Sequence, residues 1–408
     1  MQSLKLAIIS DLHIGNARAN DLNPDNSGNY ADDHFLKTFV EFVQEENLTA
    51  DYLFIPGDMS NKGNPKELKL ASNVIEQCAE ALSVTFENIF FVPGNHDVDW
   101  SISKLDADAN DAYHELRYEH LKNEKLLFHK LLQNCQSEFY NSPYFTYKQT
   151  DEIFVLAYNS TWNDGPRKQP HFGIISKDHI KEISTLLTGL DIPEETIKLF
   201  MVHHHPINYS SPNDHVDFSA MQNAEALLDL LHRHNFDVML HGHKHYPRLK
   251  PTNLGGYKKP ILILGSGSFC AKLFEGWNGF INNQFHILDI EGRNHNSSII
   301  GRVKSWTYLS REWRKSKKAH HGIEHLKPFG GVNDDAELEE QLVKIISKSF
   351  KENGFLKWSS LKDRGAEAFQ YITTERRNQL LETVRKTVEF ERHNYDGDEI
   401  ILLKPDKS

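Results

Sequence analysis

The chain alternates short apolar runs with amphipathic stretches, which predicts an α/β protein. Two further observations sharpen that class. Several apolar runs are nearly continuous, as strands buried on both faces of a parallel sheet must be. They also stop abruptly, at glycine or at side chains that bind metal ions. The connecting stretches have lengths that fit right-handed helical crossovers.

The first strand is expected over residues 4–9 (LKLAII), with Asp11-Leu12-His13 at its end. Residues 15–31, rich in Asn, Asp and Gly, read as a loop. Phe35, Leu36, Phe39, Val40, Phe42 and Val43 form a helical stripe over 33–46. Strand 52–56 ends at Gly57-Asp58, and a helix follows over about 65–83. Strand 88–92 ends in Pro93-Gly94-Asn95-His96-Asp97. Residues 98–142 are charged and helical in pattern, an insertion that is either a cap over a site or a crossover helix pair. Strands 143–148 and 152–158 flank Thr150-Asp151, a hairpin signal. Helix 176–187 leads to strand 197–202, which ends in His203-His204-His205-Pro206. Loop 207–219 and helix 221–234 precede strand 236–240, which ends in His241-Gly242-His243-Lys244-His245. Runs 260–264 and 283–289 read as closing strands.

Composition shifts after about residue 300. Arg302, Lys304, Arg311, Arg314, Lys315, Lys317 and Lys318 face the single acid Glu312, interleaved with Trp306, Tyr308 and Trp313. Such a run is either a solvated, ion-paired segment or a surface on which nucleic-acid bases stack. Pro328, Gly330 and Gly331 then suggest a linker. Helices are expected over 335–352, 357–371 and 374–387, and β-runs 388–392 and 399–403 flank Asp396-Gly397. Three helices and a hairpin is the order of a winged-helix module. The expected division is a catalytic domain over 1–300, a basic segment and linker over 301–331, and a smaller C-terminal α+β domain over 332–408.

Length and charge bound the function. A chain of 408 residues accommodates one large α/β domain with an appendage. A formal charge of −11 disfavours a protein that simply coats nucleic acid. Cys78, Cys135 and Cys270 lie far apart and make no CxxC, which argues against a disulfide framework or a thiolate zinc site and for a reducing cytoplasm. The first apolar run is too short for a signal peptide, and no stretch approaches the ~20 apolar residues that cross a bilayer.

What stands at the strand ends is Asp11 and His13, Asp58, Asn95, His96 and Asp97, the histidine run before Pro206, and His243 and His245. In open α/β sheets the C-terminal strand ends converge on one crevice. Nitrogen and oxygen donors without thiolate suit Mn, Fe or Zn. A carboxylate such as Asp58 has two oxygens with which to bridge two cations about 3.5–4 Å apart.

The ordered blocks Asp-x-His, Gly-Asp, Gly-Asn-His-Asp, His-x-Pro and Gly-His-x-His resemble the calcineurin-like metallophosphoesterase superfamily over about residues 4–290. Gly173 before a helix and Gly265-Ser266-Gly267-Ser268 after the last histidines agree with it. The resemblance implies a four-layer α-β-β-α sandwich of two mixed sheets. It implies two divalent metal ions (Mn²⁺, Fe²⁺/Fe³⁺ or Zn²⁺), one held by Asp11, His13, Asp58 and His245, the other by Asp58, Asn95, His204 and His243. His204 is preferred to His203 because the family ligand stands two residues before the proline. His96 is implied as the group that meets the phosphate with Asn95 and assists the leaving oxygen, with Asp97 orienting its ring. His205 either touches substrate or packs beside its neighbours. Loops 162–171 and 208–217, with His215, are candidates to border the crevice. The implied reaction is phosphodiester hydrolysis by a metal-bridging hydroxide, on a nucleotide or nucleic acid; the alternative is a phosphomonoesterase, or an effector whose C-terminal region is a protein-interaction module. The Gly-Asn-His-Asp block looks more like cyclic-nucleotide phosphodiesterases and repair-type nucleases than like protein phosphatases. No membrane partner is implied.

Overall fold

Glycine and metal-ligand residues end the apolar runs of this chain just where its strands end in a computed structural model. The structure describes residues 3–23, 35–99, 117–133, 144–162, 172–208, 219–255, 257, 259–273, 281–317, 322–331, 335–394 and 399–405. Much of the 98–142 insertion, loop residues 163–171 and 209–217 with His215, and the Asp396-Gly397 turn lie outside these. The chain forms two compact units, a larger one of Leu4–Leu288 with Lys304–His325 and a smaller one that includes Asp289–Val303 and Leu326–Ser408.

In the larger unit, β1 (Leu4–Ile8) pairs in parallel with β2 (Tyr52–Ile55), and β2 with β3 (Ile89–Phe91). These strands are the centre and one edge of a sheet. Beyond β1 lie β10 (Gln284–Arg293), β11 (Ile299–Leu309) and β12 (Glu312–Lys315), giving the order β12-β11-β10-β1-β2-β3. A second sheet holds the hairpin β4 (Phe145–Gln149) and β5 (Ile153–Tyr158), then β6 (Ile197–Val202), β7 (Val238–His241), β9 (Ile261–Gly265) and β8 (Arg248–Thr252), in the order β4-β5-β6-β7-β9-β8. Its pairs β5–β6, β6–β7 and β7–β9 are parallel, and its edges are antiparallel. This is the mixed two-sheet α/β fold expected.

Alternation explains the layers. Ala7, Leu53, Ile55, Ile89 and Phe91 join the core beneath α1 (Phe35–Glu45) and α2 (Pro65–Ala81). Leu6, Ile8, Phe54 and Phe90 are buried on the other face, where Phe54 stacks on Phe90 at 5.2 Å. Asn64 caps α2, its side chain accepting from the Lys66 and Glu67 amides, and Pro65 opens the first turn. On the second sheet, α4 (Lys177–Gly189) and α5 (Ala224–Arg233) cover Phe154, Leu156, Phe200 and Met239. The described part of the insertion carries α3 (Leu127–Gln133), and its Phe128 packs on Phe91 at 5.1 Å in the core under α2.

The basic run falls on strands of the first sheet. Residues 302–315 lie largely in β11 and β12, and Trp306, Tyr308 and Trp313 are buried against Phe35, Phe42 and Phe285. Arg302 pairs with Glu291, Arg314 with Glu312, and Lys315 with Glu46. In β12 Trp313 points inward between exposed Glu312 and Arg314, whereas in β11 Arg302 and Lys304 lie on the same face as Trp306 and Tyr308 but are only partly buried; a charge count alone reads the run as an exposed patch. The linker expected around Pro328 contains β13 (Lys327–Phe329), paired with β11.

The smaller unit has its own core of Leu338, Leu342, Ile346, Phe369, Leu380, Leu381, Ile400 and Leu402. Its order is α6 (Asp335–Glu352), β14 (Phe355–Lys357), 3-10 turns Trp358–Arg364 and Glu367–Tyr371, α7 (Thr374–Val384), β15 (Glu391–Asn394) and β16 (Ile400–Leu403). The sheet runs β14-β16-β15, all antiparallel. The helix expected over 357–371 is thus two 3-10 turns, and the three-residue β14 is too short to show a period in sequence. Among the described residues, no helix is long and apolar enough to cross a membrane.

Candidate metal centre

The loops leaving β1 and β2 stay paired beyond the strands. Asp11 N donates to Gly57 O (3.0 Å), His13 N to Asp58 O (3.0 Å) and Ile14 N to Met59 O (3.2 Å). Parallel pairing continued into the loops sets Asp11, His13 and Asp58 side by side. Each has a left-handed backbone, with φ of 50°, 48° and 53°, and so do His243 (72°) and His245 (52°). Such φ values cost non-glycine residues of the order of 1 kcal/mol or more each and gather where function requires a set geometry. The two glycines of the Gly-Asp and Gly-Asn blocks make room. A Cβ on Gly57, itself at φ +98°, would come within 2.5 Å of His203 Nδ1, and one on Gly94 would overlap Asp58 Oδ1.

Two donor clusters result. Asp11, His13, Asp58 and His245 form one, and Asp58, His203 and His243 the other. In the first, His13 Nε2 lies 3.0 Å from His245 Nε2 and 3.3 Å from Asp58 Oδ2, and His245 Nε2 lies 3.2 Å from Asp11 Oδ1. In the second, His203 Nε2 lies 3.3 Å from Asp58 Oδ2 and 3.0 Å from Asn95 Oδ1, while His243 Nδ1 is 3.1 Å from Asn95 Oδ1. Donors held at right angles about 2.1 Å from a cation stand about 3 Å apart. The observed separations are therefore those of two coordination spheres. Asp11 Oδ2 is also buried with no hydrogen-bond partner, which is costly for a carboxylate unless a cation is near. The residues present fit two divalent ions.

Residues 4–247 match the family model of calcineurin-like phosphoesterases. The chain belongs to that family. Among the relatives of this phosphoesterase is a probable cyclic nucleotide phosphodiesterase of Xenorhabdus bovienii, 22% identical over 291 residues, or 70% of this chain and 95% of the relative. Similar solved structures include a dimetal phosphatase from Danio rerio (13% identity, 75% of this chain and 99% of the other, TM-score 0.44). A purple acid phosphatase from yellow lupin seeds (Lupinus luteus) is another (14% identity, 77% and 53%, TM-score 0.46). Calcineurin-like phosphoesterases use two divalent metal ions, and the phosphoesterase's two clusters share one residue, Asp58.

The structure brings Asp11, His13, Asp58, Asn95, His243 and His245 together as expected, and it departs from the sequence reading at three points. First, His203 and not His204 stands with Asp58, Asn95 and His243. His203 Nδ1 donates to Pro56 O (2.8 Å), which turns Nε2 to the cluster, whereas His204 Nδ1 shares a hydrogen bond with Ser160 Oγ (2.7 Å). Counting back from the proline selects His204, whereas the ring that joins the donor cluster is that of His203, the residue directly after β6. Secondly, a single oxygen of Asp58, Oδ2, serves both clusters; Oδ1 accepts from the His96 amide (2.9 Å). Thirdly, Asp97 does not orient the His96 ring. Its oxygens accept from Ser60 N (2.8 Å), Ser60 Oγ (3.0 Å) and Gly94 N (2.9 Å), and His96 Nδ1 donates instead to Asn61 O (2.9 Å). Of the two readings of His205, the structure shows the packed one: the residue is fully buried with its ring stacked on His243 at 5.8 Å. His96 is half-buried, its ring 4.6 Å from that of His13. Ser160, missed in the sequence, follows the apolar β5 run just as the His and Asp blocks follow theirs, but its side chain bonds His204.

Electrostatics favour the ligand forms of Asp58, Asp11, His13 and His243 and oppose that of His203. Burial pushes Asp58 upward, but His203, His96 and His13 outweigh it and hold the carboxyl well below its usual range. Asp11 is likewise lowered by His245 and His203 against its burial. Burial pushes His13 and His243 down, keeping them neutral, the form that donates to a metal. His203 is opposed by burial yet raised to about 9, chiefly by Asp58. Burial and the Asp58 charge push Asp97 up to about 6.

Proposed function

We propose that the phosphoesterase is a dinuclear phosphodiesterase acting on a nucleotide. The reading rests on one observation above all: two donor clusters share Asp58 Oδ2, and half-buried His96 stands beside them. Divalent ions there, Mn²⁺, Fe²⁺/Fe³⁺ or Zn²⁺, supply positive charge to a phosphoryl group and acidify water. Asp11, His13, Asp58 and His245 hold one ion and Asp58, Asn95, His203 and His243 the other. His96, fixed through Nδ1, presents its Nε2 edge as proton donor to the departing oxygen, a role worth roughly 10²–10⁴-fold. Asn95 adds a neutral amide beside the phosphate. The diester preference is supported by the likeness to a probable cyclic nucleotide phosphodiesterase. A small nucleotide is preferred to a polymer because the aromatics of the basic run are buried and three of its cations are ion-paired. A cytoplasmic setting and a smaller unit that acts as a winged-helix or protein-interaction module belong to the same proposal.

The test is purified protein with Mn²⁺ on a phosphomonoester, a generic diester, a cyclic nucleotide and single-stranded DNA. Hydrolysis of the cyclic nucleotide and the generic diester, abolished by chelator, is expected. Turnover of the monoester alone overturns the diester reading. Salt-sensitive binding and cleavage of single-stranded DNA overturns the preference for a small nucleotide.

A further inference from the structure

Glu67 is a buried carboxylate in the first turn of α2. Its Oε2 accepts from Lys62 N at 2.7 Å and from Asn61 N at 3.1 Å. The Asn61 amide is shared with Ile14 O (3.0 Å), so the short bond to Lys62 is the undivided one. The carbonyl of that same peptide unit, Asn61 O, takes the Nδ1 proton of His96 at 2.9 Å. In a planar trans peptide the C=O of one residue and the N–H of the next point in opposite directions. A carboxylate that draws Lys62 N–H toward α2 therefore turns Asn61 C=O away from α2, to the side where His96 stands. One residue earlier, Ser60 N donates to Asp97 Oδ1 (2.8 Å), and the single Ser60 hydroxyl proton is shared between Asp97 Oδ1 (3.0 Å) and His96 O (3.1 Å). The Asn61–Lys62 peptide itself is held at its N–H end by Glu67 and at its C=O end by His96.

We propose that Glu67 is a positioning residue for His96, acting through the Asn61–Lys62 peptide bond. The proposal rests on the phosphoesterase reading above, in which His96 is the proton donor. An anion accepting from the N–H end of a peptide polarises it and makes its carbonyl a stronger acceptor. The carbonyl holds the Nδ1 proton of His96, so it is the imidazolium that gives up its Nε2 proton to the leaving oxygen, and the ring is left as the neutral Nδ1–H tautomer. The arrangement does what a carboxylate bonded directly to a histidine does, with one peptide unit between them. It also explains why Asp97, next to His96 in sequence, is left to hold the loop.

The test is a double-mutant cycle of Glu67→Ala and His96→Ala, assayed on a diester with an alkoxide leaving group and on one with a nitrophenolate leaving group. Glu67→Ala should lower kcat on the alkoxide ester roughly 10–100-fold, the loss typical of a removed orienting partner, with KM and metal content unchanged. The nitrophenolate ester leaves without a proton and should lose little, and Glu67→Ala should add nothing once His96 is alanine. Equal losses on both esters, an additive loss in the double variant, or loss of metal overturns the proposal. If Glu67→Ala fails to fold, Glu67→Gln carries the kinetic test: a neutral acceptor should show the same leaving-group selectivity with a smaller loss, and an unselective loss overturns the idea. Imidazole ¹⁵N NMR of His96 reads the tautomer independently of activity. Nδ1–H in the wild type and a shifted tautomer balance in the Glu67 variant are expected, and an unchanged balance overturns the relay even in a protein inactive on every ester.

Discussion

Replacing His203 by alanine removes a nitrogen that stands 3.3 Å from Asp58 Oδ2, 3.0 Å from Asn95 Oδ1 and 3.3 Å from His243 Nδ1. Groups that merely support a ligand cost 10–100-fold in metal affinity when removed. A direct donor should therefore cost more than about 100-fold, or about 2.8 kcal/mol at about 1.4 kcal/mol per tenfold. The neighbouring His204→Ala should leave both ions bound. Its cost is a lost partner for buried Ser160 Oγ, roughly 1–3 kcal/mol of stability. Metal content after dialysis against Mn²⁺, Mn²⁺ titration calorimetry and thermal denaturation of the three proteins separate the two effects. Two ions retained by His203→Ala with one lost by His204→Ala would refute the assignment and restore the choice made by counting back from Pro206.

Three other perturbations follow from the same geometry. Gly94→Ala places a methyl group on Asp58 Oδ1, so both clusters should be displaced; metal stoichiometry near two would contradict this. Trp306→Ala should destabilise the larger unit by about 3–5 kcal/mol, as deletion of a buried aromatic does, without altering single-stranded DNA binding; a folding midpoint unchanged in urea would return the residue to the surface. His286 is buried between Ser305 Oγ and Ser266 O, and burial lowers it to about 4. Because the folded state favours the neutral ring, its contribution is full above the unfolded value of 6.5 and is lost as pH falls from there toward 4. Between pH 7 and 5 this amounts to about 2 kcal/mol. His286→Gln should flatten that acid limb of stability, and an unchanged slope would remove His286 as its cause.

The donor set was legible in the sequence because each block is local: an apolar run, a turn, and a ligand type within a few residues. Asp11, His13, Asp58, Asn95, His243 and His245 all came from that pattern, and parallel strands aligned at their C-terminal ends bring such blocks together. The choice within His203-His204-His205 was not local. Successive side chains point to different sides, and only the position of Pro56 O in the neighbouring sheet selects which imidazole turns inward. The same holds for Asp97 and Glu67, whose partners are amides of the loop after Asp58, and for Trp306 and Trp313, whose neighbours are rings of α1 and β10. Residue types and strand ends were thus settled by the chain alone. Which oxygen of Asp58 faces both donor clusters and which histidine of the run joins them were decided by contacts between segments far apart in sequence.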